Sequence, residues 1–228
     1  MILAGLRPAA AAGVPACAWL SRTRVDEQAM AAATTRLKAL QALRGDAAGC
    51  RACPLWRGAT QTVFGEGPLD ARIMLVGEQP GDQEDRAGHP FVGPAGRVLD
   101  RALAAAQIDR SAVFTTNAVK HFKYRTRGKR RIHQRPGAEE IGACRQWLDK
   151  EIDLLRPEVI VALGATAAHS LLGRATAIGP NRGQLLHSPP FDCSVLVTVH
   201  PSSVLRERDS ESRSAALDAL AADLRRVA

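Results

Sequence analysis

Residues 72–82 read RIMLVGEQPGD, a short apolar run that ends abruptly in a glycine-rich polar turn. A run of this length with β-branched content, closed by turn residues, reads as a buried strand. Three more such runs follow: VFTTN at 113–117, VIVAL at 159–163 and VLVTV at 195–199. Helical patterns fill the intervals at 95–106, 139–155 and 166–172, and 209–227 reads as a closing helix. Strands that alternate with helices predict an α/β fold in three layers, α/β/α, around a four-stranded parallel sheet covered on both faces. In such a sheet ligands bind beyond the carboxyl ends of the strands. The residues found there are polar: Gly77 to Asp82 after the first run, Asn117 closing the second, Gly164-Ala165-Thr166 after the third and His200-Pro201-Ser202-Ser203 after the fourth. Four strand ends are therefore expected to meet at one cleft.

With 228 residues the chain can bury one full core, which predicts a single domain over 26–228. Residues 1–25 are dominated by Ala, Gly and Pro without a period and predict a loosely structured extension. A helix is expected over 26–43, and the core from about Gly45. Apolar residues at 46%, charged residues at 24% and a mean hydropathy of −0.12 fit an ordinary globular protein. No stretch approaches a membrane span. The first twenty residues have a faint signal-peptide look, but Gly13 and Pro15 break the apolar run. Five cysteines, an odd number without a dense pattern, predict a reduced, cytoplasmic setting, and a monomer is expected.

The charge is concentrated. Residues 120–135, KHFKYRTRGKRRIHQR, place eight Lys or Arg around two histidines with no acid, in a chain of net charge +8. Such a surface suits phosphate, because its cations replace counterions condensed on a nucleic acid. Aromatic residues at 4% argue against a broad platform of stacked bases, although one or two placed rings would serve a pocket. His133 is the last histidine of the basic run, and on local grounds it reads as a phosphate contact.

Cys50 and Cys53 form a two-thiolate hook, and Cys144 stands on a predicted helix some ninety residues on. Three thiolates so spaced could hold zinc, an iron-sulfur cluster or nothing. Alternatively, Cys144 is a small buried hydrophobe and the pair a redox motif. Cys17 and Cys193 read as structural.

Taken together, Cys50-x2-Cys53, TVFGEG at 62–67, GEQPGDQED at 77–85, HPFVG at 89–93, NAVKH at 117–121, KRRIH at 129–133 and HPSSVLR at 200–206 resemble the uracil-DNA glycosylase superfamily, more narrowly its UdgX type. The resemblance covers roughly 45–225. It implies excision of uracil from DNA, with single-stranded DNA as the expected partner. It also implies a structural [4Fe-4S] cluster on Cys50, Cys53, His121 and Cys144, with His121 standing where family-four relatives carry a cysteine. No catalytic metal is implied. Read alone, His121 is a basic-loop histidine near phosphate.

The same resemblance assigns roles. An enzyme acting on a base must extrude it from the stack and hold it in a closed pocket. Phe91, ordinarily a core residue, is implied to stack on uracil. Asn117, ordinarily a turn former, can offer a donor and an acceptor to the base edge. The backbone of Gln79 to Gly81, with Asp82 beside it, is implied to approach the base. His200 is implied to donate to uracil O2 as negative charge develops, and Glu78 to stabilise the positive sugar. In the UdgX type a histidine of KRRIH attacks C1′ and stays bonded, which makes His133 the expected nucleophile. Lys129, Arg130 and Arg131 are expected to set that segment against the DNA backbone, Arg131 by pairing with Glu78 or Asp82. Ser202, Ser203 and Arg206 resemble a DNA-contacting loop, while Ser202 can equally cap a helix. Two rivals remain: a turnover glycosylase in which His133 touches only phosphate, and a non-enzymatic iron-sulfur protein that binds nucleic acid.

Overall fold

The computed structural model describes residues 17–228, and side chains from residue 30 onward. Helix α1 (Cys17–Ala48) leads into a one-turn 3-10 segment at Pro54–Arg57, then β1 (Ile73–Gly77), α2 (Asp82–Ala87), α3 (Pro94–Ala105) and β2 (Val113–Asn117). A hairpin of β3 (Tyr124–Arg127) and β4 (Arg130–His133) precedes α4 (Ala138–Leu155), β5 (Val159–Leu163), α5 (Ala165–Leu172) and the short α6 (Ile178–Asn181). The chain closes with β6 (Leu185–Ser188), β7 (Cys193–Thr198) and α7 (Ser210–Leu224). Helix α1 begins ahead of the expected residue 26 and so takes in part of the segment 1–25; the rest of that segment lies outside the described residues.

The main sheet has the order β2-β1-β5-β7-β6. The four expected strands pair in parallel, with Gly77 opposite Asn117 and Leu163 opposite Thr198. A fifth strand not anticipated, β6, joins one edge antiparallel to β7. Successive side chains of each central strand feed opposite faces, as the pleat requires. Met74 and Val76 join one core with Trp147, Leu148, Ala168 and Leu171 of α4 and α5. Leu75 joins the other with Leu99, Leu103, Leu217 and Leu220 of α3 and α7. Burial on both faces explains why these strands are almost continuously apolar.

The chain runs from β1 outward to β2 and then crosses back to add β5 on the other side of β1. Between β1 and β5 the strand order reverses, and a crevice opens at the carboxyl ends there. The hairpin stands beside this crevice. Gly128 takes φ 58° in its two-residue turn, a left-handed conformation that glycine adopts without a Cβ clash. Among the described residues, no helix is long and apolar enough to cross a membrane.

Candidate active site

A cleft of about 820 Å³ lies at this switch point. Of the residues singled out in the sequence, Glu78, Gln79, Gly81, Asp82, Phe91, Asn117, His133, His200, Ser202, Ser203 and Arg206 line it together. Lys129, Arg130 and Arg131 lie outside its lining, the first two exposed on the hairpin.

Glycine at the end of β1 lets the floor assemble. A Cβ on Gly77 would collide with the Asn117 carboxamide and approach Phe91 Cζ to 2.7 Å. Asn117 is buried, and its carboxamide makes no hydrogen bond to the described protein, which leaves it free toward the cleft. Phe91, with φ 58°, turns its ring toward that of His200, the centroids 6.4 Å apart and the planes 27° from parallel.

The tautomer of His200 follows from its neighbours. Its Nδ1 accepts from the Ser202 amide at 3.2 Å, so in the neutral ring the proton sits on Nε2. Burial pushes its pKa down to about 4, helped by the nearby charges of His133 and Arg206, so the ring is neutral at physiological pH. Nε2–H is then a donor at the cleft. Arg206 in turn donates to Ser202 Oγ at 3.1 Å, which braces the loop.

Glu78 is held from two sides. Thr166, buried in the first turn of α5, donates its hydroxyl to Oε2. Oε1 faces His133 Nε2 at 3.5 Å, and the Arg135 guanidinium stands 4.0 Å from Oε2. The His133 side chain is 49% accessible on the cleft wall. Desolvation lowers its pKa; Glu78 opposes this and Arg206 adds to it.

The hairpin that carries His133 is pinned by several residues, of which the sequence names only Arg131, paired with Glu78 or Asp82. Residues two apart on a strand share a face, so Arg131 and His133 point the same way from β4. Arg131 pairs with Asp82 and, at 2.6 Å, with the fully buried carboxylate of Asp85; it does not pair with Glu78. Burial works against the charge on Asp82, yet hydrogen bonds from Arg131 and Arg86 hold its pKa below the usual carboxylate value. Gln79 uses its side chain on the two feet of the hairpin: its Nε2 donates to the carbonyls of Lys123 and Gln134, and its Oε1 accepts from the Lys123 amide. Only its backbone is left for a ligand. Glu84 joins the two loops of the cleft by accepting from the amides of Gly81 at 3.1 Å and Gly93 at 2.7 Å.

Behind the cleft, Lys120 does not face phosphate. It is fully buried and paired at 2.6 Å with Glu151 of α4, which is also fully buried. Its amide approaches Cys144 Sγ at 3.5 Å, so this pair stands between Asn117 and the cysteines.

Cys50, Cys53, Cys144 and Cys193 are free thiols. Among the described residues, no three or more His, Cys, Asp and Glu side chains are grouped to hold a metal ion. Burial raises the pKa of both Cys53 and Cys144, and the neighbouring Cys50 adds to it in each case. Burial is the larger cause, and it carries Cys144 to about 11. The Trp147 indole approaches Cys50 Sγ at 3.1 Å. His121 completes the set by its tautomer. The Thr62 hydroxyl gives its only proton to the Ala47 carbonyl, so His121 Nε2 must be the donor across the 2.9 Å contact with Thr62 Oγ1. Nδ1 is then an unprotonated lone pair, and it is buried without a partner. A ligating histidine needs this arrangement, with one nitrogen fixed as a donor and the other bare. Three thiols and one bare imidazole nitrogen are donors of the kind an iron-sulfur cluster takes.

A parallel sheet whose switch-point cleft gathers these groups is the architecture of the uracil DNA glycosylase superfamily. The sequence model of that superfamily matches residues 64–225, and the chain belongs to it. Among its relatives, the chain is 41% identical over 174 residues to the type-4 uracil-DNA glycosylase of Thermotoga maritima, covering 74% of this chain and 84% of the relative. It is 36% identical to the type-4 uracil-DNA glycosylase of Pyrobaculum aerophilum, over 74% of this chain and 85% of the relative. It is 29% identical to the type-5 uracil-DNA glycosylase of the same organism, over 60% and 63% respectively.

Proposed function

We propose that this chain excises uracil from DNA and becomes covalently attached to the abasic product through His133. The observation that carries the reading is the 3.5 Å approach of His133 to Glu78 inside the cleft that also holds Asn117, Phe91 and His200. A histidine serving phosphate alone would have no need of a carboxylate neighbour or a place in the pocket wall.

The steps follow from charge. Uracil, flipped into the cleft, stacks on Phe91 and meets the Asn117 carboxamide along its edge. As the bond between N1 and C1′ breaks, its electron pair leaves with uracil, and negative charge at O2 meets the Nε2–H of neutral His200. Such preorganised donors contribute on the order of 3–4 kcal/mol. The sugar becomes cationic, and Glu78, held by Thr166, stabilises it. A lone pair of the neutral His133 imidazole then forms a bond to C1′. The adduct loses its remaining ring proton to Glu78 or water, and uracil takes up a proton. An alkylated imidazole is a poor leaving group, so the linkage persists.

Cys50, Cys53, Cys144 and His121 would hold a [4Fe-4S] cluster whose contribution is structural, tying the 50–58 turn and α4 to the end of β2. The bare Nδ1 of His121 supports that assignment. Lys129, Arg130, Ser202, Ser203 and Arg206 are assigned to the DNA backbone, and single-stranded DNA to the substrate.

The test is a single-stranded oligonucleotide with one deoxyuridine, beside a thymidine control, run on a denaturing gel with wild type and His133→Ser. A heat- and detergent-stable band that needs both uracil and His133 is expected. Released uracil without that band would make this a turnover glycosylase. No release at all would leave only a DNA-binding protein.

A further inference from the structure

Trp56 lies outside the cleft and outside both hydrophobic cores. It occupies the 3-10 turn that follows Cys53, half-buried, whereas Trp147 is packed into the core. Two guanidinium groups lie over its ring, Arg51 at 4.8 Å and Arg57 at 5.6 Å. Among the described residues neither arginine pairs with a carboxylate. The turn abuts the hairpin: Tyr124 donates its hydroxyl to the Gly58 carbonyl at 2.9 Å, and Tyr124 is the residue opposite His133 in the β3–β4 register.

Acids nearby do not neutralise this face. Glu140 is paired with Lys123, and Asp82 and Asp85 with Arg131. Arg125, Arg127, Lys129 and Arg130 stand exposed on the hairpin without ion-pair partners among the described residues. A half-buried ring held outside the cores, beside cations that lack a carboxylate partner among the described residues, is poorly explained as packing. It suits a base whose face stacks on the ring, while a displaced guanidinium turns to the adjoining phosphate. Bases inside a duplex present no such face.

We propose that Trp56, flanked by Arg51 and Arg57, is a stacking subsite for an unpaired base on the strand that runs past His133. The ligand is single-stranded nucleic acid, and the subsite makes strand separation part of recognition. The inference rests on the reading that DNA lies along the hairpin, but it requires neither base excision nor trapping.

The experiment therefore uses undamaged oligothymidylate and a duplex of equal length, at one fixed salt concentration. It compares wild type, Trp56→Leu, Trp56→Tyr, Arg51→Ala/Arg57→Ala and Lys129→Ala/Arg130→Ala. Trp56→Leu should weaken single-strand binding about tenfold, as loss of one stacked base would. Trp56→Tyr should restore most of it, and duplex affinity should hardly change. Tryptophan fluorescence of the wild type should be quenched by the oligonucleotide, and the quenching should vanish in Trp56→Leu. Arg51→Ala/Arg57→Ala keeps the ring and should weaken the single strand in the same direction, which separates the subsite from a folding defect in the turn. Unchanged single-strand affinity in Trp56→Leu, or an equal loss for duplex, overturns the subsite. If Lys129→Ala/Arg130→Ala also binds as wild type, the reading of the hairpin as a DNA surface falls with it. If only that variant is weakened, the subsite alone is wrong.

Discussion

Lys120→Met removes the positive half of a buried ion pair while nearly keeping its volume. Lys120 and Glu151 are both fully buried, and Nζ gives its three hydrogens to Thr116 Oγ1 at 2.6 Å, the Asn117 carbonyl at 2.8 Å and Glu151 Oε2 at 2.6 Å. Methionine leaves Glu151 with the Gly65 amide at 2.9 Å and the Thr116 hydroxyl, but with no counter-charge. Removing one partner of such a pair costs about 3–5 kcal/mol, and the hydrogen bonds that survive argue for about 3 kcal/mol. In a domain of this size each kcal/mol lowers Tm by roughly 2–4 °C, so a fall of roughly 6–12 °C is expected. Lys120→Met/Glu151→Leu replaces the pair with apolar groups and should recover much of the loss. A double-mutant cycle should then return a coupling on the order of 2–3 kcal/mol. The assay is thermal unfolding followed by circular dichroism, with single-turnover uracil release in parallel, because the Asn117 carbonyl loses its donor as well. A single variant within about 1 °C of wild type, or a double variant that loses the sum of the singles, would refute the reasoning.

Thr166→Val should free Glu78 and slow uracil release roughly a hundredfold in single-turnover assays, and Thr166→Ser should restore it. If valine is tolerated, the Thr166 hydroxyl is not needed to hold Glu78. Gly77→Ala forces apart Phe91 and Asn117; release from deoxyuridine oligonucleotides should fall by at least an order of magnitude with the fold retained in circular dichroism. Desolvation depresses the pKa of His133 and attack needs its neutral form, so adduct formation should be flat at neutral pH and fall about tenfold per unit only below pH 6.5. Trapping that speeds up on acidification would contradict this. Cys144→Ala should lose the visible charge-transfer absorbance, iron and acid-labile sulfide together, whereas an unchanged metal content would remove Cys144 from the ligand set.

The four central strands were legible because they are buried on both faces, which writes an unbroken apolar run into each of them. Strand β6 has four residues and exposes alternate ones, so its signal is thin. Strands β3 and β4 were hidden by charge: YRTR and RRIH read as a basic run, and the pairing of Arg127 with Arg130 follows from the turn at Gly128 rather than from apolar alternation. The cleft residues at strand ends were found because the fold fixes where those ends meet, whereas Phe91 and His133 were reached only through the family resemblance. Most of their supports were not found, since contacts such as Gln79 with Lys123 and Gln134, or Arg131 with Asp85, depend on a partner far along the chain. Lys120 looked like a phosphate ligand until Glu151, thirty-one residues later, was seen beside it. One hint was present, for Glu151 interrupts the stripe of Cys144, Trp147, Leu148, Ile152 and Leu155 on the buried face of α4. An acid on such a stripe requires a buried cation.

Whether His133 acts as nucleophile or phosphate contact turns on how firmly its strand is held when DNA departs. A loop positioned by phosphate would relax without it. Here the anchors belong to the protein: Gln79 binds both feet of the hairpin, and Arg131 ties its middle to Asp82 and Asp85. Gln79, Asp82 and Asp85 lie in the same short segment as Glu78, directly after β1. One stretch of chain therefore sets both the carboxylate and the imidazole, and the 3.5 Å between them is fixed before any substrate arrives. A group so placed meets the sugar cation without a search, whereas water must be ordered first. On the proposed reading, this preorganisation favours capture by histidine over hydrolysis.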